Sequence, residues 1–365
     1  MPVPVDRIVL MDRMILIGPP GIGKTEVVKQ LSMREARRLG RTFVDVRRMS
    51  RETAEEVRRH PERFYLYVRI VAPHVMPEDL SFPRRADDYV EFVGPREIAL
   101  FTLEGIRGTI FIDEITNVAR RDQEAMYYSI LQEKEVGWGL KIRDEVFVVA
   151  AGNPPEVSSS ASPLPAPLIN RGTVIRVREP SIESWVQYMD STRPAWAREA
   201  AAYLVAFPGD FYKPPKDTAT LENFPTPRSW TRAAELLATR LRGAPQDLVA
   251  EAMAGTLGPE VGAKFAAFLR KRPPSVDEVL RRPAVLDEVD IELAALALSA
   301  LAQRPGLIIE RGERLIRYLA EHSEEKLVMM FKMMRRDDKS KVIDRYYAIV
   351  GEAVRKIISY GYDLT

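Results

Sequence analysis

Over the first 180 residues, short unbroken apolar runs alternate with stretches whose apolar residues recur every three or four positions. An unbroken run fits a strand buried on both faces, and the longer periodic stretches fit helices packed against it. The alternation predicts a parallel α/β sheet. Strand candidates are Arg13–Ile17, Phe64–Ile70, Thr109–Ile112, Val146–Ala150 and Val174–Val177, with helices near Thr25–Leu39, Arg96–Leu103 and Asp122–Lys134. Residues 42–61 fit this rhythm poorly and read as an insertion. Within them, Thr42–Val46 has the makings of an extra strand and Arg51–Arg59 of a short charged helix.

From Pro180 onward the strand signals fade. Helices are predicted at Ile182–Met189, Trp196–Phe207, Ser229–Leu241 and Gln246–Ala254, with a proline-rich loop from Pro208 to Pro227 between them. Further punctuation at Gly255–Pro259 and at Arg272-Pro273-Pro274 places a boundary near Arg272. Beyond it the chain is mostly helical, most clearly at Ile291–Leu301 and Glu313–Tyr318. Three parts are therefore expected, at 1–180, 181–271 and 272–365, with no internal repeat.

Composition narrows the class. The chain of 365 residues is 46% hydrophobic and 29% charged, as a globular protein is. A net charge of +2 argues against a surface built wholly to coat nucleic acid. The absence of cysteine excludes disulfides and thiolate metal sites. Prolines and Asp6 interrupt the amino terminus before any long apolar run, so no secretory signal is read there. No apolar stretch is long enough to span a bilayer, so no membrane partner is expected and the cytoplasm is the default compartment. Arginine outnumbers lysine and there are 27 prolines, a mix compatible with a heat-adapted source.

The chemistry begins at Gly18-Pro19-Pro20-Gly21-Ile22-Gly23-Lys24-Thr25, which follows the first apolar run and opens the first helix. It matches G-x-x-x-x-G-K-[ST], the phosphate-cradling P-loop. Glycines let successive backbone N–H groups converge on phosphates, and the helix that follows aims its positive dipole end at them. Lys24 would reach the β/γ-phosphates of ATP, and the Thr25 hydroxyl would bind Mg²⁺.

A second run, Thr109-Ile110-Phe111-Ile112, ends in Asp113-Glu114. At the carboxyl end of a buried strand, Asp113 would hold Mg²⁺ largely through water and Glu114 would polarise the attacking water as general base. A third run, Val146–Ala150, leads to Asn153. That side chain would reach the γ-phosphate or the lytic water. Asn-Pro also favours turns, and the residues alone leave both readings open.

Together these segments resemble the AAA+ ATPases. The resemblance rests on Gly18–Thr25, Ile110–Glu114, Gly152-Asn153-Pro154, Leu168-Ile169-Asn170-Arg171-Gly172 and Pro225-Thr226-Pro227-Arg228-Ser229, in that order. Asp113-Glu114-Ile115-Thr116-Asn117, Ala151–Glu156, Pro163–Leu168 and Pro77-Glu78-Asp79-Leu80 are similar to segments of the MoxR branch. The resemblance runs from about Met14 to Ala254. It implies a P-loop core, an α-helical lid and a helical C-terminal extension, assembled as a hexameric ring with ATP between subunits. It makes Arg171 an arginine finger that reaches the neighbour's γ-phosphate, and Arg228 a second sensor at the start of a lid helix. Gly172 departs from the aromatic residue usual after the finger, and Thr25 to Asp113 spans a long 88 residues.

The implied function is Mg²⁺-dependent ATP hydrolysis that remodels a protein substrate or adaptor; the alternative is a nucleic-acid motor on the same ring. The Gly137-Trp138-Gly139 segment reads as a hairpin tip, facing either a central pore or the neighbouring helix. The mixed-charge stretches Arg34–Arg38 and Met333–Lys339 read as solvated helix faces, and Met329, Met330, Met333 and Met334 as core or subunit contact. The scattered His60, His74 and His322 propose neither a metal site nor a triad.

Overall fold

In the computed structural model, the described residues are 2–137, 139–157, 162–163, 169–170, 172–215 and 222–351. The chain divides into two units, Met1–Glu179 and Pro180–Thr365, each with its own core.

The first unit is built on a parallel sheet of seven strands. In chain order these are β1 (Val3–Pro4), β2 (Met14–Ile17), β3 (Thr42–Asp45), β4 (Phe64–Val71), β7 (Arg107–Asp113), β10 (Val146–Gly152) and β11 (Thr173–Arg178). Across the sheet they run β1-β11-β2-β10-β7-β4-β3. Outside it lie two small hairpins, β5 (Phe82–Ala86) with β6 (Tyr89–Val93), and β8 (Glu135–Val136) with β9 (Leu140–Lys141). The central strands carry apolar side chains toward both faces, and Ile15, Leu16, Ile110, Ile112, Val148 and Val149 are wholly buried. Helix α1 (Lys24–Arg38) and α5 (Arg121–Glu133) pack on this sheet. Of the shorter helices α2 (Arg51–Arg59), α3 (Pro77–Leu80) and α4 (Arg96–Ala99), α2 starts at Ser50, whose hydroxyl accepts the Thr53 N–H.

The five predicted strands are all present. The stretch read as an insertion instead supplies the sheet's edge, because β3 pairs with β4 from Thr42↔Phe64 to Asp45↔Tyr67. The hairpin β5–β6 was not anticipated; its turn holds Asp87 at φ +36°.

Three buried hydroxyls fix α1 against the sheet. Thr109 Oγ1 on β7 accepts from Ser32 Oγ on α1 at 2.9 Å and meets the Tyr65 hydroxyl of β4 at 2.8 Å. All three residues are fully buried, so the pairing offsets a desolvation cost of a few kcal/mol. The P-loop helix is thereby held in register with the strand that ends in Asp113.

The second unit is helical: α6 (Ile182–Thr192), α7 (Glu199–Ala206), α8 (Pro227–Ala238), α9 (Gln246–Leu257), α10 (Pro259–Phe268), α11 (Val276–Arg281), α12 (Val285–Glu288), α13 (Ile291–Ala302), α14 (Pro305–Arg311), α15 (Glu313–His322), α16 (Glu324–Lys332) and α17 (Arg336–Arg345). One core runs from Trp185 to Val350 and passes through the region of Arg272, with Phe268 and Val279 both inside it. Its aromatic centre joins Tyr203, Trp230, Phe265 and Phe268 at ring separations of 5.0–6.3 Å. Met330, Met333 and Met334 belong to this core, and Met329 lies at its margin. Among the described residues no single helix is long and apolar enough to cross a membrane.

Candidate active site

Three neighbouring parallel strands end side by side: β2 before the P-loop, β10 before Asn153, and β7 at Asp113. Their register aligns Ile17 with Gly152 and Ile112 with Ala150. Carboxyl ends of strands in such sheets open onto a crevice. The strand bearing Asn153 lies between the other two.

The loop leaves β2 and reaches α1 through Gly23, the residue before the helix, at φ +98°. An L side chain there would be strained, which is why glycine precedes Lys24. Lys24 is the first helical residue and is 8% exposed. Its ammonium donates to Gly18 O at 2.6 Å, Pro19 O at 2.8 Å and Asn153 Oδ1 at 2.9 Å. Three donors of a nearly buried ammonium thus meet three oxygens.

Thr25, one residue on, donates from its hydroxyl to Asp113 Oδ2 at 2.8 Å. The same oxygen takes a second donor, Arg69 Nε at 2.8 Å, and Arg69 Nη2 stands 2.7 Å away from it. Asp113 is nearly buried whereas the Arg69 side chain is 40% exposed. Its other oxygen, Oδ1, accepts the Glu114 N–H at 3.1 Å.

Glu114 is half-buried and sits in the left-handed region at φ +60°, ψ +35°. For a residue with a Cβ that conformation costs about 1–3 kcal/mol, and such strain gathers at functional sites. The turn is closed by the Asn117 N–H donating to Glu114 O at 2.9 Å. Between them, Thr116 is buried, and its Oγ1 accepts the Asn153 N–H at 2.9 Å. Gly152 makes that approach possible, because a Cβ there would lie 2.5 Å from the Thr116 methyl.

The donor set fits the expected ligands. A hydroxyl and a carboxylate oxygen 2.8 Å apart are the hard donors a divalent magnesium ion takes. The glycine-bearing turn at a helix start, with Lys24 inside it, suits a polyphosphate.

Sequence reasoning brought Lys24, Thr25, Asp113, Glu114 and Asn153 to one place, and the structure gathers them at the carboxyl ends of three central strands. It missed Arg69 and Thr116. Arg69 is the one charged residue in Phe64–Val71, a signal that was legible. Thr116 carries no comparable mark. Arg171 lies outside the described residues, as do Trp138 and residues 164–168. Arg228 lies in the second unit, exposed in the first turn of α8. There Pro227 opens the helix and Thr226 and Ser229 cap it reciprocally.

The family model described as "ATPase family associated with various cellular activities (AAA)" matches residues 14–171. No curated protein matches the chain. Among solved structures, NtrX from Brucella abortus in complex with ATP is 15% identical over 98% of this chain and 66% of that one, with a TM-score of 0.34. The Holliday junction branch migration motor RuvB of Thermotoga maritima is 16% identical over 78% and 76%, with a TM-score of 0.28. PCH-2 of C. elegans is 16% identical over 71% and 61%, with a TM-score of 0.29. At identities and scores this low, no feature of those proteins is carried over to this chain. The matched segment holds the P-loop, the Asp113-Glu114 strand end and Asn153, and the match supports an ATP-hydrolysing P-loop enzyme.

Proposed function

We propose that this chain binds ATP with Mg²⁺ at the carboxyl ends of β2, β10 and β7 and works as a ring ATPase, resembling the MoxR branch, that remodels a protein partner. The single observation behind the site is the pair of short contacts that meet there, Lys24 to Asn153 at 2.9 Å and Thr25 to Asp113 at 2.8 Å.

In this reading the backbone of Gly18, Pro19, Pro20, Gly21, Ile22 and Gly23 wraps the phosphates. Lys24 neutralises their charge where the γ-phosphoryl group departs. Thr25 and Asp113 hold Mg²⁺, which when bound offsets the negative charge on the phosphate oxygens. Glu114 orients a water and takes its proton, and Asn153 fixes either that water or the γ-phosphate. Arg171 completes the neighbour's site in a hexameric ring, and Arg228 couples a helical lid to the nucleotide. On this division 181–271 acts as the lid and 272–365 as an extension that recruits the partner or braces the ring.

Light scattering with and without ATP tests the ring. Glu114→Gln loaded with ATP is expected at about six times the chain mass, as this family's rings imply. A particle that stays monomeric while the wild type turns over ATP would remove the trans role of Arg171.

A further inference from the structure

We propose that Arg69 makes acceptance of the divalent cation conditional on the triphosphate: its guanidinium and the metal contend for one carboxylate oxygen, Asp113 Oδ2. The proposal rests on the reading that Asp113 holds Mg²⁺.

The oxygen that faces Thr25 already takes two nitrogens of Arg69, at 2.8 and 2.7 Å. An arginine cannot make way by losing a proton, since it stays charged at any pH the protein meets. The Asp113 side chain is 7% exposed, so water screens the contact poorly. Among the four side chains named here, the formal charges of Lys24 and Arg69 cancel those of Asp113 and Glu114. A hydrated magnesium ion dehydrates reluctantly and gains little from a neutral cluster with one carboxylate already forked by a guanidinium. A triphosphate adds several negative charges at the same place and reverses that balance. Arg69 lies on β4, two residues before the register partner of Asp113, and is 40% exposed, so it has room to move off the carboxylate.

Arg69 is thus a positioning residue for the metal, and its consequence can be read without turnover. The full-length chain is titrated with Mn²⁺, and free Mn²⁺ is counted by electron paramagnetic resonance. Wild-type protein is expected to take up Mn²⁺ tightly with ATP and weakly without it. Arg69→Gln should bind Mn²⁺ without nucleotide about tenfold more tightly, the factor one adjacent charge imposes on a carboxylate. Adding Asp113→Asn to that variant should abolish the gain. Arg69→Lys, which keeps the charge but not the fork, should gain about threefold on the same scale. No gain in Arg69→Gln overturns the proposal, as does a gain that survives Asp113→Asn. If Arg69→Gln does not fold, the absence of any gain in Arg69→Lys overturns it. Wild-type protein that takes up no Mn²⁺ even with ATP would instead sink the underlying site reading, and the proposal with it.

Discussion

Thr116 Oγ1 accepts the Asn153 N–H at 2.9 Å, so the turn carrying Glu114 and the end of the strand beside the P-loop are joined by one hydrogen bond. The contact links the proposed base to the side chain that meets Lys24. Glu114 lies on one side of Thr116, two residues back, and Asn153 on the other. A small movement of either strand end is therefore felt by both.

Replacing Thr116 with Val keeps the shape and removes the acceptor. The Asn153 N–H would then be left without its partner, at a cost of about 1–3 kcal/mol. We expect a lower denaturant midpoint and turnover reduced more than ATP affinity, with Thr116→Ser recovering most of both. Wild-type stability and turnover in Thr116→Val would show that the bond positions nothing.

Glu114→Gln keeps the side chain's size and removes its basicity. Nucleotide affinity is expected to stay within a few-fold of wild type while turnover falls by about 10²–10⁴-fold, the usual worth of a positioned base. Single-turnover hydrolysis of radiolabelled ATP makes the distinction. Full turnover would take the role of base away from Glu114.

The second unit has an acid-sensitive contact. Hydrogen bonds from Lys213 and Lys264, at 2.9 and 2.7 Å, hold the exposed Glu260 carboxyl down at about 2. A lowered carboxyl favours the folded state above its ordinary value of 4.5, and that contribution is lost as pH falls toward 2. Urea unfolding between those limits should depend less on pH in Glu260→Gln than in wild type. Added salt should narrow the difference, because the pair faces water. Equal pH slopes would mean that the two lysines do not hold the carboxylate in solution.

Much of the site was legible because its chemistry is local in sequence. A phosphate turn needs its glycines and lysine within eight residues, and a strand's last residue reaches the crevice simply by ending there. The five core strands were legible too, since Phe64–Val71 and Val146–Gly152 are buried on both faces and read as near-continuous apolar runs. The edge strand was harder. Thr42–Asp45 has only one covered side and an exposed first residue, so its pattern resembled a surface insertion. The hairpin Phe82–Val93 was missed because its aromatic residues are exposed, with Tyr89 at 64%, and alternate over no core. Arg69 and Thr116 act across strands, through contacts between residues 44 and 37 positions apart. Such pairings follow from strand order, which the sequence does not spell out.

The central claim is that a triphosphate is bound by the loop that ends in Lys24. Titration of a fluorescent ATP analogue, with Mg²⁺ present, into wild-type protein and into a folded Lys24→Ala variant tests it most directly. Lys24 supplies the only side-chain cation within that loop, and its loss should weaken binding by about a hundredfold. Equal affinity for the two proteins would contradict the account.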